Sequence, residues 1–102
     1  MISLTETVYT TQQIQTILKP IFMSHNVKKA VLFGSYAKGL AKKNSDVDIL
    51  VDSGLKGLAF FGLLEDVVTS LEKDVDMIDV SQVIKNSDVD NEIKRSGVMI
   101  YG

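Results

Sequence analysis

Two stretches decide the fold of this chain: Gly34-Ser35-Tyr36-Ala37-Lys38-Gly39 and Ser45-Asp46-Val47-Asp48-Ile49-Leu50-Val51. Gly34 and Ser35 end an apolar run, and ten residues separate Ser35 from Asp46, which opens the next run. Apolar and polar side chains alternate after Asp46, which predicts a strand with Val47, Ile49 and Val51 on one face and both aspartates on the other. Glycine permits the sharp turn needed where a strand leads directly into a helix. The two stretches therefore predict a strand, a turn with a brief helix, and a second strand that begins with carboxylates.

The rest of the chain has the periodicities of a mixed protein of helices and strands. Thr10 and Gln13 are suited to a capping box at the start of the first helix, and Pro20 is expected to kink or break that helix. Ser87 can cap a last short helix, which Gly97 would end. The predicted helices cover residues 11–24, 35–40, 58–73 and a segment after Ser87; the predicted strands cover residues 30–33, 46–51, 74–80 and 98–101. The apolar stripe predicted for the helix over 58–73 consists of Phe60, Leu64, Val67, Val68 and Leu71.

The positions of the polar residues determine the strand directions. Gly34 and Ser35 follow the end of the first strand, whereas Asp46 and Asp48 lie at the start of the second, so a shared site requires antiparallel strands. About 22 residues that include a helix join the second strand to the third, which is enough for a parallel crossover. Asp76 would then reach the same edge as Asp46 and Asp48. The predicted fold class is α/β (α+β), a small mixed sheet with helices packed on it and three carboxylates at one end.

Asp79 is an alternative to Asp76 as the third acid. Because it lies three residues after Asp76 on the same predicted strand, it should face the opposite side, together with Val75 and Met77. We therefore favour Asp76.

These residue types suit chemistry at phosphorus. Mg²⁺ prefers carboxylate oxygens, and Asp46 and Asp48 are about 6.5 Å apart along one strand face. Like charges about 4 Å apart repel by about 4 kcal/mol at an effective dielectric of 20, so three gathered carboxylates call for a cation. Gly34 and Ser35, at a helix start, can bind a phosphate through backbone N–H groups and the serine hydroxyl. Together they predict two-metal phosphoryl transfer, in which Asp76 binds the second ion and helps to deprotonate the attacking hydroxyl.

Other polar residues near this predicted site have more ordinary interpretations. Ser35 could serve as a helix cap alone, which would not exclude phosphate binding. Lys38, Lys42 and Lys43 could steady a triphosphate, but a flexible surface loop is the favoured interpretation. His25 follows a helix, and a helix-end role is favoured over ligand binding.

Composition limits the class of protein. The chain has 102 residues with 13 acidic and 11 basic side chains, a formal net charge of −2, and material for a single domain over residues 1–102. This balance disfavours nucleic acid as the main ligand. The absence of cysteine excludes a disulfide framework and a thiolate zinc site. The N-terminus lacks the basic start of a secretory signal and no apolar run is long enough to span a membrane, so we expect a cytoplasmic protein.

In these features the chain resembles the minimal nucleotidyltransferases (MNT type) of the DNA polymerase beta superfamily, as found in HEPN/MNT toxin–antitoxin pairs. The resemblance rests on Gly34-Ser35, the ten-residue gap and Asp46-Val47-Asp48. In addition, Val75-Asp76-Met77-Ile78 is similar to the family's third-acid strand and Arg95-Ser96-Gly97-Val98 to its usual ending. It implies that Asp46, Asp48 and Asp76 are catalytic metal ligands and that Gly34 and Ser35 bind the nucleotide.

The resemblance also implies an activity. Members transfer a nucleoside monophosphate from a triphosphate to a hydroxyl, so we expect transfer of AMP from ATP, with two Mg²⁺ ions, to a tyrosine of a helical HEPN-type toxin. The chain would then be that toxin's antitoxin. Two alternatives stay open: a non-catalytic antitoxin that neutralises its partner by binding, and a nucleotidyltransferase that acts on a small molecule or RNA together with a second chain. A homo-oligomer is compatible with the sequence, and a membrane partner is not expected.

Overall fold

A computed structural model describes residues 6–102 of the chain. Helices and strands are named in chain order: α1 (Thr11–Ser24), β1 (Lys29–Phe33), α2 (Gly34–Ala37), β2 (Val47–Asp52), α3 (Gly57–Leu71), β3 (Val75–Asp79), α4 (Asp88–Ser96) and β4 (Val98–Tyr101). A 3₁₀ turn over Val80–Gln82, which the sequence pattern did not predict, follows β3.

The strands form one mixed sheet in the order β3-β2-β1-β4. β1 pairs antiparallel with β2, and β2 pairs parallel with β3, so both predicted strand directions are confirmed. β4 pairs antiparallel with β1, as expected of an edge strand. The predicted fold class, a small mixed sheet with helices packed on it, is therefore correct.

The hydrophobic core lies between one face of the sheet and the helices α1 and α3. Val47, Ile49 and Val51 of β2 are fully buried there, as the alternation along this strand predicts. Their partners from the helices are fully buried as well: Ile14, Leu18 and Phe22 from α1, and Leu63, Val67 and Leu71 from α3. The other face of β2 is left to Asp48 and Leu50.

The centre of the apolar stripe on α3 differs from the prediction by one residue. Leu63 is fully buried, whereas Phe60 and Leu64 are only partly buried beside the core. The first turns of α3 are apolar on nearly all sides, so periodicity does not fix the helix rotation there, and packing against α1 and the sheet does.

Helix α1 begins and ends as predicted and continues through Pro20, so the predicted break is wrong. Its capping box is confirmed: the Thr10 hydroxyl accepts from the Gln13 N–H at 3.1 Å, and the Gln13 side chain accepts from the Thr10 N–H at 2.9 Å. Pro20 removes the donor for the carbonyl of Thr16, but both residues lie on the exposed side of α1, where water can bind that carbonyl. The buried side of the helix is unaffected.

Helix α2 is shorter than the predicted segment over 35–40. Gly39 has a φ of +73°, which a right-handed helix cannot include, and the helix ends before it. Among the described helices, none is both long and apolar enough to cross a membrane.

Candidate active site

The ends of three strands bring the predicted site residues to one edge of the sheet. In the register of β1 with β2, Phe33 lies opposite Asp48. Gly34 and Ser35 follow Phe33 directly and therefore lie beside Asp48 at this edge. In the register of β2 with β3, Asp48 lies opposite Asp76. Neighbouring strands are about 4.8 Å apart, so the turn at Gly34, Asp48 and Asp76 form one row across three chain segments.

Gly34 packs directly against the carboxylate of Asp48. A Cβ atom at position 34 would overlap Asp48 Oδ2 and lie 3.0 Å from Asp48 Cγ. The φ of Gly34 is +70°, a left-handed conformation that side chains disfavour. Glycine is therefore required here both for the turn and for the close approach of the backbone to the carboxylate.

Ser35 lies inside the first turn of α2 and is partly buried. The N-cap of α2 is Phe33, which has no side-chain cap, so the interpretation of Ser35 as a helix cap is wrong. Within residues 6–102, the Ser35 hydroxyl has no hydrogen-bond partner, while its carbonyl accepts from the Leu40 N–H at 2.9 Å. The hydroxyl is thus available to a ligand beside Gly34.

Asp48 is the electrostatic centre of this edge. Burial, followed by the nearby negative charges of Asp76, Asp46 and Glu92, raises the pKa of Asp48 to about 6. The three aspartates predicted from the sequence are thus close enough to affect one another. Because repulsion from these neighbours destabilises the charged form of Asp48, the arrangement favours a bound cation.

Glu92 of α4 is a fourth carboxylate near the site that the sequence analysis missed. It accepts a hydrogen bond from Lys38 Nζ at 2.7 Å, and both side chains are partly exposed. The prediction of a flexible loop role for Lys38 is therefore wrong, because this ion pair ties the end of α2 to α4. No local pattern marks Glu92, since its position depends on how α4 packs across the sheet.

Asp79 has a structural setting distinct from that of Asp76. It is 5% exposed, and its carboxylate accepts from the Ser53 hydroxyl at 2.6 Å and the Ser81 hydroxyl at 2.7 Å, and from both backbone N–H groups. Burial alone would raise the pKa of Asp79, but these hydrogen bonds outweigh it and lower the pKa to about 2. Asp79 is thus occupied in joining β2, β3 and the 3₁₀ turn, which favours Asp76 as the third acid.

The described carboxylates at this edge do not by themselves enclose a cation. Within residues 6–102, no three acidic or histidine side chains are positioned to ligate one ion together. Mg²⁺ at nucleotide sites is commonly held by one or two carboxylates, with substrate phosphates and water completing the octahedron. Asp48 with Asp76 opposite and Asp46 two residues away fits that pattern.

His25 has a helix-end role, as the sequence predicted. It is the C-cap of α1, and its Nε2 atom is 2.7 Å from Asp66 Oδ2 on α3. This contact links the two core helices at the surface.

Comparison with known families agrees with this geometry. Residues 12–102 match the family model for polymerase beta nucleotidyltransferases, a span that includes every predicted site residue. The chain belongs to this family. The resemblance to nucleotidyltransferases found in the sequence is therefore confirmed, and the chain is a nucleotidyltransferase.

Two curated relatives are adenylyltransferases by name. A protein of Methanocaldococcus jannaschii, provisionally named protein adenylyltransferase MJ0435, is 35% identical over 74 residues, which cover 70% of this chain and 78% of the relative. Protein adenylyltransferase MntA of Shewanella oneidensis is 39% identical over 51 residues, which cover 48% of this chain and 37% of MntA.

Solved structures share the fold. A toxin–antitoxin structure with AMP-PNP superposes with a TM-score of 0.74 at 24% identity, covering 86% of this chain and 73% of the other. A complex described as tri-AMPylated Shewanella oneidensis HEPN toxin with MNT antitoxin superposes with a TM-score of 0.69 at 21% identity, covering 91% of this chain and 73% of the other. At these identities the superpositions establish the architecture.

Proposed function

We propose that this protein transfers AMP from ATP to a tyrosine hydroxyl of a HEPN-type toxin and so acts as its antitoxin. The observation that carries the proposal is the row formed by Gly34, Asp48 and Asp76, in which the glycine backbone touches one carboxylate and the other lies opposite on the next strand. Such a row offers a phosphate contact, metal ligands and a proton acceptor within one site.

Asp46, Asp48 and Asp76 fit the role of magnesium ligands, because they crowd negative charge at one sheet edge. Bound Mg²⁺, with two ions proposed, supplies charge neutralisation at the triphosphate and lowers the pKa of the attacking hydroxyl. The unpartnered Ser35 hydroxyl and the backbone of the turn at Gly34 are suited to hold the β- and γ-phosphates.

In the proposed transfer step, residues of this chain accept the proton and hold the leaving group. The acceptor oxygen attacks the α-phosphorus, its proton passes to Asp76, and the bond to the β-phosphate oxygen breaks to release pyrophosphate. The leaving pyrophosphate stays on the side of Gly34 and Ser35, opposite the acceptor. The products are an AMP ester of the acceptor and pyrophosphate, so atoms and charge balance.

The choice of a protein acceptor rests on the relatives. MJ0435 and MntA are named protein adenylyltransferases, and one structural neighbour is a complex with an AMPylated HEPN toxin. The net charge of −2 argues against RNA as the acceptor.

The test is AMP transfer from ATP labelled in its α-phosphate, with Mg²⁺, to the product of the adjacent gene, which this proposal expects to be a HEPN-type protein. Wild type should label the partner, and the double variant Asp46→Asn with Asp48→Asn should reduce the rate at least about a thousandfold, since metal ligands contribute several kcal/mol. Asp52→Asn is the matched control, because Asp52 is on the same strand four residues from Asp48 and opposite Lys29.

Three results would contradict the proposal. Labelling that survives in the double variant excludes these carboxylates as metal ligands. Neutralisation of the toxin by the double variant without labelling indicates an antitoxin that acts by binding alone. Labelling of RNA or a small molecule in preference to the partner protein would give a different acceptor class.

A further inference from the structure

The carboxylate row continues into an apolar row on the same face of the sheet. Asp48 lies opposite Asp76, and one pleat further along the same strands Leu50 lies opposite Ile78. Side chains two residues apart on a strand share a face at about 6.5 Å spacing. The floor next to the site on β2 and β3 is therefore apolar.

This apolar row leads into a groove between α4 and the segment that follows β3. The groove has a volume of about 270 Å³ and is lined by Leu50, Val80, Val83, Lys85, Asp90 and Lys94. β3 is an edge strand, and within the described residues β2 is the strand it pairs with, so the sheet does not close the groove on its outer side. Leu50, which lines the groove, is two residues from Asp48 on β2, so the groove begins about 6.5 Å along the strand from the carboxylate row.

One wall of the groove exposes large apolar side chains to solvent. Ile84 is 74% exposed and Val80 is 38% exposed, and both belong to the segment that forms one wall. Large apolar side chains gathered beside a polar site mark a surface for a macromolecular partner rather than for a small polar ligand.

The rim of the groove has an excess of positive charge. Lys94 Nζ pairs with Asp90 Oδ2 at 3.0 Å on α4. Lys85 makes no ion pair among residues 6–102, and its charge acts on Asp90 as well, so the rim carries two lysines against one aspartate. An acidic side chain is the complement of this rim.

We propose that this groove, here called the acceptor groove, binds the segment of the partner protein that carries the acceptor hydroxyl. Apolar side chains of that segment would pack on Leu50 and Val83, and an acidic residue near the hydroxyl would pair with Lys85. The inference rests on the proposed function and adds to it the place and the sequence character of the acceptor: a hydroxyl flanked by apolar and acidic residues.

In-line geometry assigns this groove to the acceptor rather than to the nucleobase. Phosphoryl transfer places the attacking and leaving oxygens on opposite sides of phosphorus. The leaving pyrophosphate lies toward Gly34, on the β1 side of Asp48, so the acceptor approaches from the β3 side. One wall of the acceptor groove is the segment that follows β3, the strand that carries Asp76, so the groove lies on that side of Asp48.

The test compares groove variants with matched controls outside the groove. Lys85→Glu and Val83→Asp should raise KM for the HEPN-type partner protein at least about tenfold while KM for ATP stays within about twofold. The controls are Lys19→Glu on the exposed side of α1 and Leu58→Asp, at a side chain that is 89% exposed on α3 outside the groove. Both controls should leave the two KM values unchanged. Lys85 is exposed, so its substitution does not endanger folding.

Binding of the partner to the inactive Asp46→Asn, Asp48→Asn protein, measured by calorimetry, separates the two proposals. If the wild-type chain binds the partner but does not label it, the proposed function is refuted, and Lys85→Glu should even then weaken that binding about tenfold. If wild type labels the partner but a groove variant raises KM for ATP instead of KM for the partner, the groove binds the nucleotide. That result overturns the inference. Unchanged KM values and unchanged binding in both groove variants overturn it as well.

Discussion

Replacement of Gly34 by alanine should disable transfer far more than it destabilises the fold. The new Cβ would overlap Asp48 Oδ2, so the carboxylate must turn away or the turn must move. Either adjustment displaces Asp48 relative to the turn at Gly34 by about 1 Å, a shift that can lower a rate about a hundredfold.

Two contributions to the free energy of unfolding follow from the structure. The left-handed φ of +70° costs an alanine about 1 kcal/mol relative to glycine. Rearrangement of the Asp48 side chain, which is only partly buried, adds about 1 kcal/mol. The variant should therefore unfold about 2 kcal/mol more easily and still be folded at 25 °C.

Gly54→Ala is the matched control for backbone strain. Gly54 has a φ of +67°, close to that of Gly34, but nothing lies within 4 Å of its Cβ position. The control should show the strain contribution of about 1 kcal/mol and keep the full transfer rate.

The assay measures the initial rate of AMP transfer and urea denaturation for both variants. A loss of about a hundredfold in the rate for Gly34→Ala, with the rate of Gly54→Ala unchanged, supports the steric argument. Equal rates in the two variants would show that contact between Gly34 and Asp48 does not matter for the reaction, and the reasoning from the site geometry would then be wrong.

Three further predictions concern stability and charge. Because the pKa of Asp79 is lowered in the folded state, its charged form stabilises the fold at pH values above the usual carboxyl pKa, and this stabilisation is lost as the pH falls. Between pH 5 and pH 2 the free energy of unfolding of wild type, measured by urea denaturation, should fall about 2 kcal/mol more than that of Asp79→Asn. Parallel pH profiles would contradict this. Glu92→Gln should change the free energy of unfolding by less than about 1 kcal/mol, because the ion pair of Glu92 with Lys38 is partly exposed. The same change should lower KM for ATP about threefold, because it removes a negative charge near the proposed triphosphate site. A raised KM for ATP would refute this role. Leu63→Ala should cost about 3 kcal/mol in urea denaturation, compared with less than about 0.5 kcal/mol for the exposed Leu58→Ala.

The strand directions and the position of the three aspartates at one sheet edge could be predicted from the sequence. They follow from the two-residue alternation of side chains along a strand and from the lengths of the segments that connect the strands. Asp46 and Asp48 share a face by alternation, and the crossover to Asp76 requires only enough residues for a helix. The separation of Asp76 from Asp79 follows from the same alternation, and the buried hydrogen bonds of Asp79 to Ser53 and Ser81 agree with it.

Features that depend on packing could not be predicted in this way. Glu92 reaches the site through the placement of α4 over the sheet, and its pairing with Lys38 joins residues 54 positions apart. The rotation of α3, which buries Leu63 at the centre of its stripe, is chosen by contacts with α1 in a segment that is apolar on most sides. Long-range contacts of this kind leave no local period in the sequence.

The alternation along β2 makes the core and the site dependent on each other. Val47, Ile49 and Val51 are fully buried on one face, and the same strand places Asp48 on the other, against Gly34. A register slip of one residue between β1 and β2 would exchange the faces, burying the carboxylate in the core and exposing three apolar side chains. The cost of burying an unpaired carboxylate is several kcal/mol, so the slipped sheet is strongly disfavoured. The charge that we propose for the reaction therefore also holds the strand in the register that builds the candidate site.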